Sequence, residues 1–275
     1  MALGTIVVHL ANDSRHRDRL SFAMDLARRH GAHLVALYVT APVHMPAAVT
    51  GRGASYAFLA EASDIALQKA KALEAETARL CAASGLSWEW RTEEEQEHEE
   101  AIHKYALLAD LLIVGQSESV QDNHLVSVER PEEAALKAGC PVLVLPAKGE
   151  YAQTRRALVA WKESPEANRA LRESLGVLSR AEKVFVLGID DPETAQAPGT
   201  SVIAYLKRHN IEAELRTDFG KESDAGPTIL AQARALDCDL VVMGAWGRSR
   251  LASLLFGSAT AYMLDHADRA LLMAH

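Results

Sequence analysis

The chain repeats one short motif, and this repeat limits the architectures that are open to it. Ala109–Gly115 reads Ala-Asp-Leu-Leu-Ile-Val-Gly, and Cys238–Gly244 reads Cys-Asp-Leu-Val-Val-Met-Gly. Apolar runs and polar turns recur in the same order around both copies, from one end of the sequence to the other. Such repetition in a chain of 275 residues indicates a duplicated domain. We therefore expect a first domain at residues 1–148 and a second at residues 149–275.

Both halves show the pattern of buried parallel strands separated by helices. Each opens with an apolar run and a polar turn containing Ser14 or Ser164. Apolar runs too short for helices and separated by helical patterns predict strands that are covered on both faces. The predicted strands are Ile6–Leu10, His33–Val39, Ser87–Arg91, Ala109–Gly115, Pro141–Leu145, Ala157–Trp161, Lys183–Ile189, Ile211–Arg216, Cys238–Gly244 and Ala270–Met273.

The order of elements predicts the fold class. Apolar side chains at helical spacing follow each opening strand, at Leu20, Ala23, Met24 and Ala27 in the first half and from Ala167 to Leu178 in the second. A β-α-β-α order with right-handed crossovers gives an α/β fold of two tandem, doubly wound, Rossmann-like parallel sheets. The alternating runs at 87–91 and 211–216 suit half-exposed edge strands.

Charge and segment composition exclude several classes of function. Residues 1–149 carry 14 basic and 20 acidic side chains and the remainder 15 and 17, so neither half has the basic excess that nucleic-acid binding needs. The sequence has no apolar stretch of about 20 residues and no signal-peptide pattern, so we expect a cytoplasmic protein without membrane contact. Three scattered cysteines indicate neither a disulfide framework nor a zinc cluster.

The loop after the second motif copy has the glycine pattern of an anion-binding site. Gly244 is followed after two residues by Gly247, and after nine more by Gly257-Ser258, where the helix Ala259–His266 is predicted. Glycines let backbone N–H groups converge on phosphate oxygens, and a helix N-terminus adds free amides and partial positive charge. The hydroxyls of Ser258 and Thr260 could donate further hydrogen bonds.

Alternative readings of the same residues stay open at this point. Arg248 is a candidate for neutralising an anion, although an arginine at a loop–helix junction is more often solvated. The glycines could serve only tight turns, and Ser258 could be only a helix N-cap. The combination of a buried strand, two glycines, a fixed gap and Gly-Ser before the last helix favours the anion site.

That combination resembles the ATP-binding signature of the universal stress protein family, and the resemblance covers essentially the whole chain in two tandem copies. It implies an adenine nucleotide alpha hydrolase-like fold that binds ATP, ADP or AMP, with Mg²⁺ carried by the phosphates. It also implies which residues contact the nucleotide. These are Gly244, Gly247, Arg248, Gly257, Ser258, Ala259 and Thr260 around the phosphates, with Ala160, Lys162, Ile189 and Met243 at the strand ends.

The resemblance has one departure in the second half. ATP-binding members carry an Asp just after the first strand, in a turn similar to Trp-Asp-Gly-Ser. Here that turn reads Trp161-Lys162-Glu163-Ser164, so a cation replaces the carboxylate. Lys162 could instead favour a phosphate, or Glu163 could take the place of the Asp.

The first half departs further from the signature. Its loop reads Gly115-Gln116-Ser117-Glu118-Ser119, and only the first glycine is kept. Glu118 stands where the second half has Gly247, and Glu129 stands at or beside the Gly-Ser step. Carboxylates would repel phosphates at both points, so we expect no phosphate binding in the first half.

Other motifs give weaker signals. The acidic run from Glu93 to Glu100 is interpreted as the solvated first turns of a helix rather than a metal site. The sequence contains no Gly-x-Ser-x-Gly elbow, no Walker-type Gly-Lys-Ser/Thr and no His-Glu-x-x-His. We therefore name no catalytic residue and no metal ligand.

The leading hypothesis is a stress-response regulatory protein whose second half binds ATP. The first half would be a structural or partner-binding surface, and the halves would pair through their last strands as an intramolecular pseudo-dimer. The alternatives are a nucleotide-independent adaptor and, less favoured, an enzyme that uses the cleft between the halves. Slow ATP hydrolysis, the protein partner and association of two chains as a homodimer are left open by the sequence.

Overall fold

The computed structural model describes residues 3–11, 13–39, 52–93, 98–116, 139–149, 154–190, 199–219, 225–245 and 258–275. The first half contains β1 (Thr5–Leu10), α1 (His16–His30), β2 (His33–Val39), α2 (Arg52–Ser84), β3 (Trp88–Glu93), α3 (His98–Ala106), β4 (Leu111–Gly115) and β5 (Val142–Leu145). The second contains β6 (Arg156–Trp161), α4 (Pro165–Leu178), β7 (Lys183–Asp190), α5 (Thr200–Arg208), β8 (Ala213–Phe219), α6 (Ala225–Ala235), β9 (Leu240–Gly244), α7 (Ser258–His266) and β10 (Ala270–Ala274).

All ten strands predicted from the sequence are present, and together they form one sheet. The strand order is β3-β2-β1-β4-β5-β10-β9-β6-β7-β8, so β3 and β8 are the two edges, as predicted. Within each half all neighbouring strands are parallel. The interpretation of the acidic run is wrong for Glu93, which ends β3. Glu99 and Glu100 lie in the first turn of α3, as expected, and residues 94–97 lie outside the described residues.

The two halves meet where their last strands pair. β5 and β10 are antiparallel, with Leu143 opposite Leu272. This is the pairing expected of an intramolecular pseudo-dimer, and it joins the two predicted sheets into one. Because the strands of the two halves run in opposite directions, their carboxyl ends lie at opposite edges of the sheet.

Helices cover both faces of the sheet. Apolar residues of α1, α2, α4 and α5 form one buried cluster with the sheet, whereas those of α3, α6 and α7 form a second. Ile6 and Val8 of β1 belong to the first cluster and Val7 to the second, which is the period-two alternation of a strand between two layers. No helix in the described part of the chain is long and apolar enough to cross a membrane.

The aspartate of the repeated motif has the same role in both halves. An Asp110 carboxylate oxygen accepts hydrogen bonds from the backbone N–H groups of Gly4 (2.7 Å) and Thr5 (2.9 Å), at the start of β1. Asp239 accepts them from Arg155 (2.8 Å) and Arg156 (3.1 Å), at the start of β6. Each aspartate therefore ties the strand that it precedes to the opening strand of its half.

The three cysteines are free and buried, as expected of structural cysteines. Burial raises the pKa of Cys140 to about 12, with a further contribution from the nearby charge of Glu173. Burial likewise raises the pKa of Cys238 to about 11. Both thiols are therefore protonated and unreactive at neutral pH.

Candidate functional site

The carboxyl edge of the second half contains a topological switch point, the place where doubly wound sheets form a crevice. β6 lies between β9 and β7, and the chain runs from β6 through α4 to β7 on one side while β9 lies on the other. Ala160 is the register partner of Met243 on β9 and of Leu187 on β7. Ligands of doubly wound sheets bind at such a point, beyond the carboxyl ends of the strands.

Four of the predicted site residues share this edge. Ala160 and Met243 are direct neighbours across β6 and β9. Ile189 lies on β7 just beyond Gly188, which is opposite Trp161. Lys162 follows Trp161 directly and is exposed, so it lies at the same edge of the sheet.

Gly244 is needed for helix packing, a role that the sequence did not reveal. A Cβ atom at this position would lie 2.6 Å from the backbone nitrogen of Ala167 and 2.7 Å from the carbonyl carbon of Glu166. The end of β9 therefore lies directly against the first turn of α4. Ser164 fixes that turn, because its hydroxyl accepts a hydrogen bond from Ala167 N–H (3.2 Å) and Pro165 occupies the first helical position.

The peptide groups of Ala245 are occupied by the last strand. Ala245 N–H donates to the carbonyl of Ala274 (2.9 Å), and the Ala245 carbonyl accepts from Nδ1 of His275 (3.2 Å). Arg169 of α4 in turn donates to the carbonyl of His275. Both the N–H and the carbonyl of Ala245 therefore have hydrogen-bond partners in the last two residues of the chain.

The final helix begins at the predicted Gly-Ser step. α7 starts at Ser258, with Ala259 half-buried and Thr260 buried in its first turn. It packs closely on α6, where a Cβ on Gly226 would lie 2.8 Å from Cβ of Tyr262. The first amides of any helix lack partners within the helix and can bind an anion. Gly247, Arg248 and Gly257 lie outside the described residues.

Glu166 is a site residue that sequence reasoning missed. Its Oε2 is buried and has no hydrogen-bond partner in the described structure. Burial acts to raise the pKa of Glu166, but hydrogen bonds from its own backbone N–H and from Ser164, with the charges of His275 and Arg169, outweigh burial and lower it. The carboxylate is therefore ionised at neutral pH. Its position in the first turn of a helix is the one available sequence signal.

The equivalent crevice of the first half is filled by Arg19. This side chain is 2% exposed, and its guanidinium carbon would lie 3.3 Å from a Cβ on Gly115, at the end of β4. Its Nε donates to the carbonyl of His9 (2.8 Å), near the end of β1, and a terminal nitrogen pairs with Asp13 (2.5 Å). The buried guanidinium of Arg19 thus lies between the carboxyl ends of β1 and β4, with the partly exposed Asp13 as its ion partner.

Gln116, which follows Gly115 directly, connects the two halves of the chain through hydrogen bonds. Its amide nitrogen donates to the carbonyl of Leu264 in the last turn of α7 (2.5 Å), and its amide oxygen accepts from the backbone N–H of Ala147 (2.8 Å). Arg15 donates to the carbonyls of Ala147 (3.2 Å) and Gly149 (2.8 Å). In the first half, the start of the loop therefore stabilises the junction. Glu118 and Glu129 lie outside the described residues.

Comparisons with solved structures agree with this fold. A universal stress protein from Archaeoglobus fulgidus DSM 4304 is 15% identical, with a TM-score of 0.72 over 98% of this chain and 97% of that chain. A functionally unknown protein from Pseudomonas aeruginosa PAO1 is 16% identical, with a TM-score of 0.62 over 99% of this chain and 92% of that chain. A universal stress protein solved in complex with cAMP matches 45% of this chain and 99% of that chain, with 20% identity and a TM-score of 0.36.

Sequence comparison identifies the family to which the chain belongs. No curated protein matches the chain. The model of the universal stress protein family matches twice, at residues 3–146 and 153–275, and so accounts for nearly the whole sequence. The chain therefore belongs to the universal stress protein family, with two family domains in tandem.

Proposed function

We propose that this protein is a stress-response regulator whose second half binds ATP or a related adenine nucleotide. The observation that carries the proposal is the difference between the two crevices. In the first half the guanidinium of Arg19 fills the space at Gly115. In the second half the backbone of α4 packs on Gly244, and the glycine-spaced loop leads from there to the start of α7.

The charges at the second crevice suit a phosphorylated ligand. Lys162 is exposed just after β6, and the N-terminus of α7 carries the partial positive charge of a helix start. The spacing of Gly244, Gly247 and Gly257-Ser258 allows backbone amides to surround phosphate oxygens. We propose Lys162, Gly247, Arg248, Gly257, Ser258 and Thr260 as the residues near the phosphates, with Mg²⁺ carried by the nucleotide.

Strand ends provide the remaining part of the site. Ala160, Met243 and Ile189 lie on adjacent strands at one edge. We propose that a base and a ribose lie beyond the carboxyl ends of these strands. The first half then serves as a rigid neighbour, because the β5–β10 pair and Gln116 connect it to the second half.

Titration calorimetry with ATP and Mg²⁺ tests the proposal. We expect one nucleotide per chain. The variant Gly247→Glu combined with Ser258→Glu copies the carboxylates of the first half into the second and should abolish binding. The matched control is Glu118→Gln with Glu129→Gln, which removes carboxylates from the first half and should leave the single site unchanged.

A nucleotide-independent adaptor is the second candidate, and Lys162 is the observation that favours it. An exposed lysine stands where ATP-binding members of the family carry an aspartate. If ATP, ADP and AMP all fail to bind the wild-type chain in the presence of Mg²⁺, the nucleotide site is wrong and the adaptor is favoured.

A further inference from the structure

The long helix α2 packs on the rest of the chain along only part of its length. Its C-terminal part has a buried stripe that contributes to the same core cluster as α1, formed by Ala70, Leu73, Thr77 and Cys81. From Glu61 to Lys69, every described side chain is exposed except that of Ala66, which is half-buried. These side chains lie on all sides of the helix, because a helix turns once in 3.6 residues. The described chain therefore leaves this part of α2 uncovered.

The second half has no helix of this length between its second and third strands. There α5 has nine residues, with Val202 and Leu206 buried, whereas α2 has 33. Short helices are only marginally stable in water, and helices in proteins are stabilised mainly by the packing of one face. The exposed part of α2 is thus an added feature of the first half whose packing partner has to come from outside the chain.

One face of this exposed part carries charges that are complementary to each other across a two-fold axis. Glu61, Ile65 and Lys69 are four residues apart and therefore lie in one row along the helix. Ile65 is 46% exposed and lies between the acid and the base. It is five residues from Ala70, so the row is turned about 140° away from the buried stripe. In the described part of the chain, the side chains of Glu61 and Lys69 have no hydrogen bond or ion pair.

We propose that two copies of this chain pair through α2, with the two helices antiparallel around a two-fold axis at Ile65. In a two-fold contact, residue i of one copy meets residue j of the other and the reverse contact also occurs. Glu61 of each copy then faces Lys69 of the other, and the two Ile65 side chains meet at the axis. A parallel arrangement would place like charges opposite each other, so the charges select the antiparallel one.

A second copy fits this face better than an unrelated partner does. The order acid, apolar residue, base is self-complementary, which is what a symmetric contact requires. The last strands, β5 and β10, already pair within the chain and are not available to a second copy. Exposed ion pairs are individually weak and are screened by salt, so the association should weaken as the salt concentration rises.

Sedimentation velocity of the full chain over a range of concentrations at low salt tests the pairing, and no nucleotide is needed. We expect a dimer of the wild type. Glu61→Lys and Lys69→Glu each place like charges opposite each other twice, so each should raise the dissociation constant at least about tenfold. The double variant exchanges the two charges and should restore the dimer. Lys71→Glu, at an exposed position on a different side of the helix, is the control and should leave association unchanged.

Disulfide cross-linking tests the position of the axis. Ile65→Cys should form a disulfide between two copies under mild oxidation, because residue 65 of each copy lies at the axis. Ser63→Cys is the matched control, since it is exposed but lies on the opposite side of α2, and it should remain reduced. The three native cysteines are buried and should not compete.

Several results would overturn the pairing. A wild type that stays monomeric at every concentration would leave this face to a different protein. A dimer that neither single charge reversal weakens would have to form through another surface. Failure of the double variant to restore association, with helix content unchanged by circular dichroism, would exclude the antiparallel contact between Glu61 and Lys69. Equal cross-linking through Ser63→Cys would exclude an axis at Ile65. None of these results depends on nucleotide binding, so the proposed function is tested separately.

Discussion

Arg19 and Gly115 pack against each other with a separation that leaves no room for a side chain at residue 115. The guanidinium also holds the carbonyl of His9 and the carboxylate of Asp13, so one side chain joins the ends of β1 and β4. The guanidinium of Arg19 thereby fills the space at the carboxyl end of β4, where the second half has the backbone of α4 against Gly244.

Replacement of Arg19 should lower the stability of the protein. Arg19→Ala removes the ion pair with Asp13 and opens a buried space, and we expect the free energy of unfolding to fall by about 3 kcal/mol. Urea denaturation measures this. Arg17→Ala is the control, because Arg17 is 71% exposed in its ion pair with Glu76 and its loss should cost under about 1 kcal/mol. Equal losses of stability in Arg19→Ala and Arg17→Ala would show that the Arg19–Asp13 pair contributes no more than an exposed ion pair.

A methyl group at residue 244 should disturb α4. Gly244→Ala places a Cβ within 3 Å of backbone atoms of Glu166 and Ala167, so we expect a loss of about 1–3 kcal/mol in stability and weaker nucleotide binding. Gly139→Ala is the control, since its nearest neighbour is the flexible end of Leu107 at 3.2 Å. Wild-type stability and affinity in Gly244→Ala would contradict the packing role.

Removal of the Gln116 amide should loosen the junction between the halves. Gln116→Ala loses the hydrogen bonds to Leu264 and Ala147, and we expect a cost of about 1–3 kcal/mol with faster hydrogen exchange at the Ala147 amide. Gln116→Glu keeps an acceptor for Ala147 but loses the donor to Leu264, so its exchange at Ala147 should stay slow. If exchange at Ala147 is unchanged in Gln116→Ala, Gln116 does not stabilise the junction.

The stability of the protein should depend on pH through His30. Burial, and then the charges of Arg180 and Arg29, lower the pKa of His30 to about 4, and neither of its two buried ring nitrogens has a hydrogen-bond partner among the residues that the structure describes. The unfolded chain binds this proton near pH 6.5 and the folded chain near 4, so stability is complete above pH 6.5 and falls as the pH drops towards 4.

The expected loss over that range is on the order of 1 kcal/mol, because solvent screens part of the shift for a half-buried ring. Urea denaturation between pH 4 and 7 should show a flatter profile for His30→Gln than for the wild type. His209→Gln, at an exposed position, is the control and should keep the wild-type slope. An unchanged slope in His30→Gln would refute the assignment.

The fold could be predicted because every strand carries a local signal. The apolar runs identify the strands, and the alternation at Ser87–Arg91 and Ile211–Arg216 identifies the two edges, which are β3 and β8. The repeated aspartate marks equivalent strands, since Asp110 and Asp239 hold the same backbone position in the two halves.

The interior of the sites could not be predicted, because it depends on contacts between distant residues. Arg19 lies next to the apolar positions of α1, and a charged residue there is ordinarily interpreted as exposed. The sequence indicates ligand approach or a tight turn for Gly244, but not the contact with α4 that is sufficient to require a glycine there. The role of Gln116 depends on a hydrogen bond to a distant residue, Leu264. Glu166 is distinguished by a buried oxygen without a partner in the described structure. Neither feature can be predicted from the local sequence.

The central claim is that one nucleotide binds to each chain and that it binds in the second half. Native mass spectrometry with ATP and Mg²⁺, followed by cross-linking with 8-azido-ATP and peptide mapping, tests it most directly. We predict one bound nucleotide per chain and labelled peptides from residues 149–275 only. Two nucleotides per chain, none, or labelled peptides from the first half would contradict the account.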